Sequence, residues 1–209
     1  MALLLIRHGE TPLNVARVLQ PPDTPLSAHG RAQARALAQR LASDARDGVP
    51  PVGAIVSSDL ARALETAQAI AQACGLAVAT SALLQERNFG DLRGRAYDSL
   101  GHDPIASDEA PPGGESGAVF AARCDAAWAW LLTQRPAQGA LVVVTHGLVL
   151  RQWLAHPRVQ RPDGLALPEH LANTALSLVQ GTPPHRVQRL ACTAHLHGLG
   201  DDAAALVGG

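Results

Sequence analysis

Short apolar runs recur along this chain, each handing over to a stretch of helical periodicity, and few architectures accommodate that alternation. Residues 2–6 form the first run, and residues 28–43 follow with Ala34, Leu37, Ala38 and Leu41 on one helical face. Residues 53–56 form the second; Ser57, Ser58 and Asp59 then offer cap chemistry to a helix whose face carries Leu60, Ala63, Leu64, Ala67, Ile70 and Cys74. Residues 76–79 read as an edge strand, residues 115–134 as an amphipathic helix with Phe120, Trp128 and Leu131, and residues 141–144 as a strand leading to a helix from about Leu148. Residues 175–180 and 186–192, joined through Gly181, Pro183 and Pro184, read as a closing strand pair, and residues 104–114 as a loop. Strands alternating with helices imply an α/β fold: a three-layer sandwich with a mainly parallel central sheet and helices on both faces.

Size and charge narrow the function classes. A chain of 209 residues with 47% hydrophobic and 17% charged residues can bury one sizeable core, so residues 1–197 read as a single domain and residues 198–209 as a flexible tail. A net charge of -1 leaves no basic excess to neutralise a run of phosphates, which argues against nucleic acid as a partner. No apolar run is long enough for a signal peptide or a membrane span, and cytoplasmic placement is the resulting expectation. Cys74, Cys124 and Cys192 are odd in number and embedded in apolar patterns, and read as small buried hydrophobes.

In a sheet of this kind ligands bind beyond the carboxyl ends of the strands, and three of the apolar runs end there in polar residues. The first stops at Arg7 and His8, the second leads through Ser57 and Ser58 to Arg62, and the third stops at Thr145, His146 and Gly147. Arg62 would place a cation in the first turn of a helix, facing the positive end of the macrodipole, a cost that a bound anion reverses. Phosphate fits, because guanidiniums offer forked donors and helix ends offer N–H groups. Any one of these residues alone is most simply a solvated or hydrogen-bonded loop residue; the coincidence of three strand ends carries the inference.

Taken together, Arg7-His8-Gly9-Glu10-Thr11, Asn14, residues 23–27, the Ser57 to Ala67 stretch, Glu86 before Phe89-Gly90, Gly114-Glu115-Ser116 and Thr145-His146-Gly147 occur in the order found in a known family. In these motifs the chain resembles the histidine phosphatase superfamily, the phosphoglycerate mutase-like proteins of branch 1 type, from residue 3 to about residue 196. The resemblance implies the phosphoglycerate mutase-like fold and a set of roles. His8 would attack phosphorus and become a phosphohistidine. Arg7, Asn14, Arg62, His146 and Gly147 would hold the phosphoryl oxygens, and Glu86 would serve as general acid and then base. The implied substrate is a small-molecule phosphate monoester, with a homodimer as a compatible assembly. No metal or other cofactor is implied, and the sequence offers no metal-ligand spacing. His29, His102, His156, His170, His185, His195 and His197 read as surface or capping residues, Ser116 as a helix cap, and Arg123 as a surface pairing residue.

Two departures from the family pattern bear on the substrate. Leu19-Gln20-Pro21-Pro22 stands where relatives commonly have Gln-Gly, and Leu92-Arg93 stands where they commonly have Trp-Glu before Gly94. The second places a cation near the pocket mouth; an exposed Arg is the simpler reading, an anionic leaving group the other. Three functions follow: a phosphomonoesterase, a cofactor-dependent phosphoglycerate mutase, and a non-catalytic phosphate- or protein-binding relative. Mutases of the family carry a longer covering segment after the acid-bearing loop, so the short stretch 94–114 favours hydrolysis, and retention of both His8 and Glu86 disfavours a binding-only role.

Overall fold

A computed structural model describes residues 1–43 and 48–199. In chain order its elements are β1 (Ala2–Arg7), α1 (Pro12–Val15), α2 (Ala28–Ala42), β2 (Val52–Ser57), α3 (Ala61–Cys74), β3 (Val78–Thr80), α4 (Gly117–Thr133), β4 (Ala140–Thr145), α5 (Gly147–Ala155), β5 (Val159–Gln160), β6 (Leu176–Gln180) and β7 (His185–Cys192). They build one seven-stranded sheet in the order β3-β2-β4-β1-β6-β7-β5. The run from β3 to β1 is parallel, β6 is antiparallel to both β1 and β7, and β5 is parallel to β7.

The three layers follow from the two-residue period of the strands. Leu3 and Leu5 of β1 join Phe120, Cys124, Trp128, Leu131 and Trp153, from α4 and α5, on one face. Leu4 and Ile6 join Leu37, Leu41, Ala63, Ala67 and Ile70, from α2 and α3, on the other. Because both faces are covered, β4 is buried along its whole length and reads as a continuous apolar run, not an alternating one. Trp153 is fully buried and its indole N–H donates to the Cys124 carbonyl at 2.8 Å, which joins α5 to α4 beneath the sheet.

The observed elements match the expected alternation, with differences at the ends. The short helix α1 and the two-residue strand β5 lack a periodic signal and have no counterpart in the sequence reading. Ser116 caps α4 as expected, accepting the Val119 N–H at 3.2 Å. The cap of α3 is instead Leu60, and Ser58 contributes one step earlier by accepting the Leu60 N–H at 3.2 Å. Beyond residue 199 the expected tail lies outside the described residues. Among the described residues no helix is long and apolar enough to cross a membrane.

Candidate active site

Register brings three strand ends level with one another. Arg7 pairs with Thr145 across β1 and β4, and the His8 N–H extends that ladder to the Thr145 carbonyl at 3.0 Å. Ser57 pairs with Val144, and the Ser58 N–H reaches the Val144 carbonyl at 2.9 Å. His8, Ser58 and His146 are therefore each one step past the sheet, side by side. The rings of His8 and His146 stand 5.1 Å apart between centroids, and His146 Nε2 is 2.9 Å from Ser58 Oγ.

His8 has its ring orientation and tautomer set by one contact. Its Nδ1 is 2.7 Å from the Gly9 carbonyl oxygen, which can only accept, so Nδ1 carries the hydrogen and a neutral ring has its lone pair on Nε2. Burial, then the cations of Arg62 and Arg7, hold the His8 ring well below the usual histidine range and thus neutral. His146 is depressed for the same reasons, burial first and then Arg62, His8 and Arg7. The backbone here is clamped. The Thr174 N–H and the Asn173 amide both donate to the His8 carbonyl, at 3.2 and 3.0 Å, and the Gly9 N–H donates to Thr66 Oγ1 at 3.0 Å. A Cβ on Gly30 would stand 2.0 Å from the Glu10 carbonyl oxygen, so only glycine lets α2 lie this close to the nucleophile loop.

Each expected phosphate holder has a distinct anchor. Arg7 is buried and donates to the Leu171 carbonyl. Arg62 is in the first turn of α3, as expected, and donates to the Pro21 carbonyl at 3.2 Å, while the Ala61 N–H is taken by the Pro22 carbonyl at 3.2 Å. The unusual Pro21-Pro22 stretch thus holds the start of α3 and aims Arg62. Burial lowers Arg62 to about 10, and Nε of Arg62 and Nδ1 of His146 are buried without a protein partner. Asn14 closes a capping box with Thr11, and its Oδ1 also accepts from Asn173 Nδ2 at 3.4 Å. That oxygen accepts from both the Thr11 N–H and the Asn173 amide, so the Asn14 amide nitrogen faces the other way. Gly147 is the first residue of α5; it borders a second hollow, beside Arg7, Leu148 and Arg151, and not the hollow that His8 lines.

Glu86 comes from a loop, not from a strand end. Its Oε1 accepts the Arg87 N–H at 2.9 Å and its Oε2 accepts the Leu148 N–H at 3.1 Å. Burial raises its carboxyl above the usual range, against the lowering effect of those two N–H bonds and of Arg62 and Arg7. Glu86 shares with His8 and Arg62 a narrow pocket walled by Leu19, Gln20, Leu60, Phe89, Arg93 and Tyr97.

Two arginines that the sequence reading did not place at the site build this loop. Arg123 is not a surface pairing residue. It donates to both carboxylate oxygens of Glu115, at 2.7 and 2.8 Å, and to the carbonyls of Leu83, Gln85 and Glu86. Arg87 is buried and donates to the carbonyls of Glu115, Pro104, Ile105 and Glu109. Other expectations also change. His185 is buried, its Nδ1 bonded to the Gly181 carbonyl at 3.0 Å and its ring edge-on to Trp128. His195 is part-buried against Thr174 Oγ1 at 2.9 Å. Of the cysteines only Cys124 is a buried hydrophobe; Cys74 and Cys192 are half-buried, and the Cys192 sulfur accepts from Arg40 and Arg189.

The model of the histidine phosphatase superfamily (branch 1) matches residues 3–192. The probable phosphoglycerate mutase GpmB of Yersinia enterocolitica is 34% identical over 200 residues, covering 91% of this chain and 80% of that protein. Among solved structures, a mycobacterial glucosyl-3-phosphoglycerate phosphatase has a TM-score of 0.73 at 27% identity, covering 91% of this chain and 98% of its own. The alpha-ribazole phosphatase from Shigella flexneri has a TM-score of 0.74 at 25% identity, covering 93% and 98%.

Proposed function

The chain belongs to the histidine phosphatase superfamily (branch 1), and on that premise we propose that it is a metal-independent phosphomonoesterase acting on a small phosphorylated substrate through a phosphohistidine on His8. The observation that carries this reading is the Nδ1 bond to the Gly9 carbonyl, which leaves the Nε2 lone pair for attack on phosphorus.

In the first step the Nε2–P bond forms as the ester P–O bond breaks, and Glu86 gives its proton to the leaving oxygen. The raised carboxyl of Glu86 supports its starting protonated. In the second step water attacks the phosphohistidine, passes a proton to Glu86, and the N–P bond breaks to release phosphate. The guanidiniums of Arg7 and Arg62 and the amide of Asn14 meet the charge spread over the phosphoryl oxygens. Ser58 Oγ accepts the Leu60 N–H, and we assign its own proton to His146 Nε2, 2.9 Å away. The His146 hydrogen is then on Nδ1, the buried atom without a protein partner, where it can bind a phosphoryl oxygen.

Hydrolysis is favoured over mutase chemistry by the segment after the acid loop. Arg87 holds the carbonyls of Pro104, Ile105 and Glu109, so the stretch is strapped beside the site and not free to fold over it. Water then reaches the phosphohistidine. The test is phosphate release from a panel of monoesters with chelator present, run beside 3-phosphoglycerate with catalytic 2,3-bisphosphoglycerate. Release of phosphate without an acceptor is the expected result. Efficient formation of 2-phosphoglycerate with little free phosphate would establish the mutase instead, and neither activity would leave a binding-only relative.

A further inference from the structure

The pocket that holds His8 and Glu86 at its inner end is lined by three arginines, and they differ in what their guanidiniums touch. Arg87 is committed to backbone carbonyls, and Arg62 is bonded to Pro21 and faces Glu86. Arg93 alone among them has no side-chain hydrogen bond or ion pair to any described residue, although it is half-buried.

We propose that the outer half of this pocket is a subsite for a second anionic group on the leaving alcohol of the substrate, with Arg93 as the residue that selects it. The inference rests on the reading of the inner half as the phosphoryl site, and it names the substrate class: a monoester whose alcohol carries a carboxylate or a second phosphate a few bonds from the ester oxygen.

The backbone under Arg93 is fixed. Its N–H donates to the Gly90 carbonyl at 3.1 Å, the Gly94 N–H to the Leu19 carbonyl at 2.7 Å, and the Asp91 N–H to the Pro112 carbonyl at 2.9 Å. The turn that carries Arg93 is therefore held, and what the ligand has to order is the side chain alone. Its charge is not cancelled by the protein. The carboxylate that acts on it is Glu115, which Arg123 already grips by both oxygens. Arg93 and Arg62 line the same pocket and repel each other, and an anion bound in that pocket offsets the repulsion.

The neighbouring polar groups add donors. Gln20 Oε1 accepts from Thr11 Oγ1 at 2.9 Å, which turns the amide nitrogen away from that contact, and the Tyr97 phenol lines the same wall. Leu19, Leu60 and Phe89 supply the apolar remainder, which suits a short carbon skeleton. A planar guanidinium matches either carboxylate or phosphate.

The experiment uses matched compounds: 3-phosphoglycerate, propane-1,3-diol bisphosphate and glycerol 3-phosphate, the last with a neutral alcohol. Phosphate release is measured for the wild type and for Arg93→Gln, Arg93→Glu and Arg93→Lys. The wild type should prefer at least one of the anionic pair over the neutral ester by roughly 10- to 100-fold in kcat/KM, the scale of a hydrogen bond to a charged group. Which of the two is preferred separates carboxylate from phosphate. Arg93→Gln should collapse that ratio, chiefly through KM, Arg93→Glu should reverse it, and Arg93→Lys should restore part of it. The same compounds are titrated calorimetrically into His8→Ala and into His8→Ala/Arg93→Gln, where binding is read without turnover. Absence of phosphate release from every compound would refute the phosphatase reading alone, and the binding ratio would still decide the subsite. No preference in the wild type, or a ratio that survives Arg93→Gln in both rates and binding, would overturn the inference.

Discussion

The two halves of the candidate site are held by different means. His8, Ser58 and His146 follow directly from paired strand residues, so the register of β1, β2 and β4 sets their positions. Glu86 has no strand behind it. It is suspended in a loop whose carbonyls are gathered by Arg123 and which Arg87 ties to the carbonyls of Glu115 and Glu109, with Glu115 as the counter-charge and the start of α5 supplying the Leu148 N–H. The first half is rigid because the sheet is; the second is rigid only as long as two long side chains stay in place. Substitutions should therefore separate the halves: those at the strand ends should remove chemistry while sparing the fold, and those behind the loop should cost stability and chemistry together.

The largest effect should come from the strand-end half. His8→Ala removes the group that would form the covalent bond, so kcat/KM should fall by about 10^4 or more, the scale seen when a nucleophile is deleted. Circular dichroism and thermal unfolding should show the fold retained, since the clamps on this residue are to its carbonyl and not to its ring. Activity within a few-fold of the wild type would remove His8 from the nucleophilic role.

Glu86→Gln comes next, and here the leaving group is the probe. Loss of the proton donor should slow alkyl phosphates by roughly 10^2-fold or more, whereas p-nitrophenyl phosphate, whose leaving oxygen needs little assistance, should slow far less. Equal losses on both substrates would show that the carboxyl does not act as the acid.

Arg123→Met tests the suspension itself. It leaves Glu86 in the chain but removes the donors that hold the Leu83, Gln85 and Glu86 carbonyls and leaves Glu115 without its ion-pair partner. Stability should fall by about 3 kcal/mol, as for a broken, largely buried charge pair, read from urea unfolding. The rate loss should follow the pattern of Glu86→Gln in weaker form, on the order of tenfold for alkyl esters, because the acid is displaced and not deleted. A stability loss with uniform rates across leaving groups would mean that Arg123 supports the fold but not the acid.

The contrast also explains what could be read in advance. A strand end announces itself by a run of apolar residues that stops, so Arg7, His8, Arg62 and His146 could be grouped before any coordinates, and only the family resemblance was needed to give them roles. Glu86 could be reached only through the resemblance, since one carboxylate in a loop has no periodic signal. Arg123 was misread because helical spacing reports which face a residue occupies, not that the face lies behind a loop from residues 83–86. Arg87, Asn173 and Thr174 act through backbone carbonyls distant in sequence, and no local pattern encodes such contacts. The same holds for Cys192, which lies in an apolar strand by pattern yet meets Arg40 from α2.

The smallest effect concerns pH, where the two halves carry opposite signs. His8 and His146 are held below the usual 6.5, first by burial and then by the neighbouring cations. In the unfolded chain each takes up its proton near 6.5, while the folded protein does not until well below that value. Between the two the unfolded state binds more protons, so stability falls as pH drops, each histidine adding a slope of up to about 1.4 kcal/mol per pH unit. Glu86 is raised above the usual 4.5 by burial, so the folded state keeps a proton that the unfolded state has lost, and its share of stability falls as pH rises from 4.5 through the folded value. The measurement is urea unfolding at half-unit steps from pH 7.5 to 5 for the wild type and His8→Asn, in which the Glu86 share is common to both and drops out of the difference. His8→Asn should gain on the wild type as pH falls below 6.5, and parallel curves across that range would show that the folded His8 ring protonates as freely as an exposed one, which would in turn remove the reason for Nε2 to be an available nucleophile at mildly acidic pH.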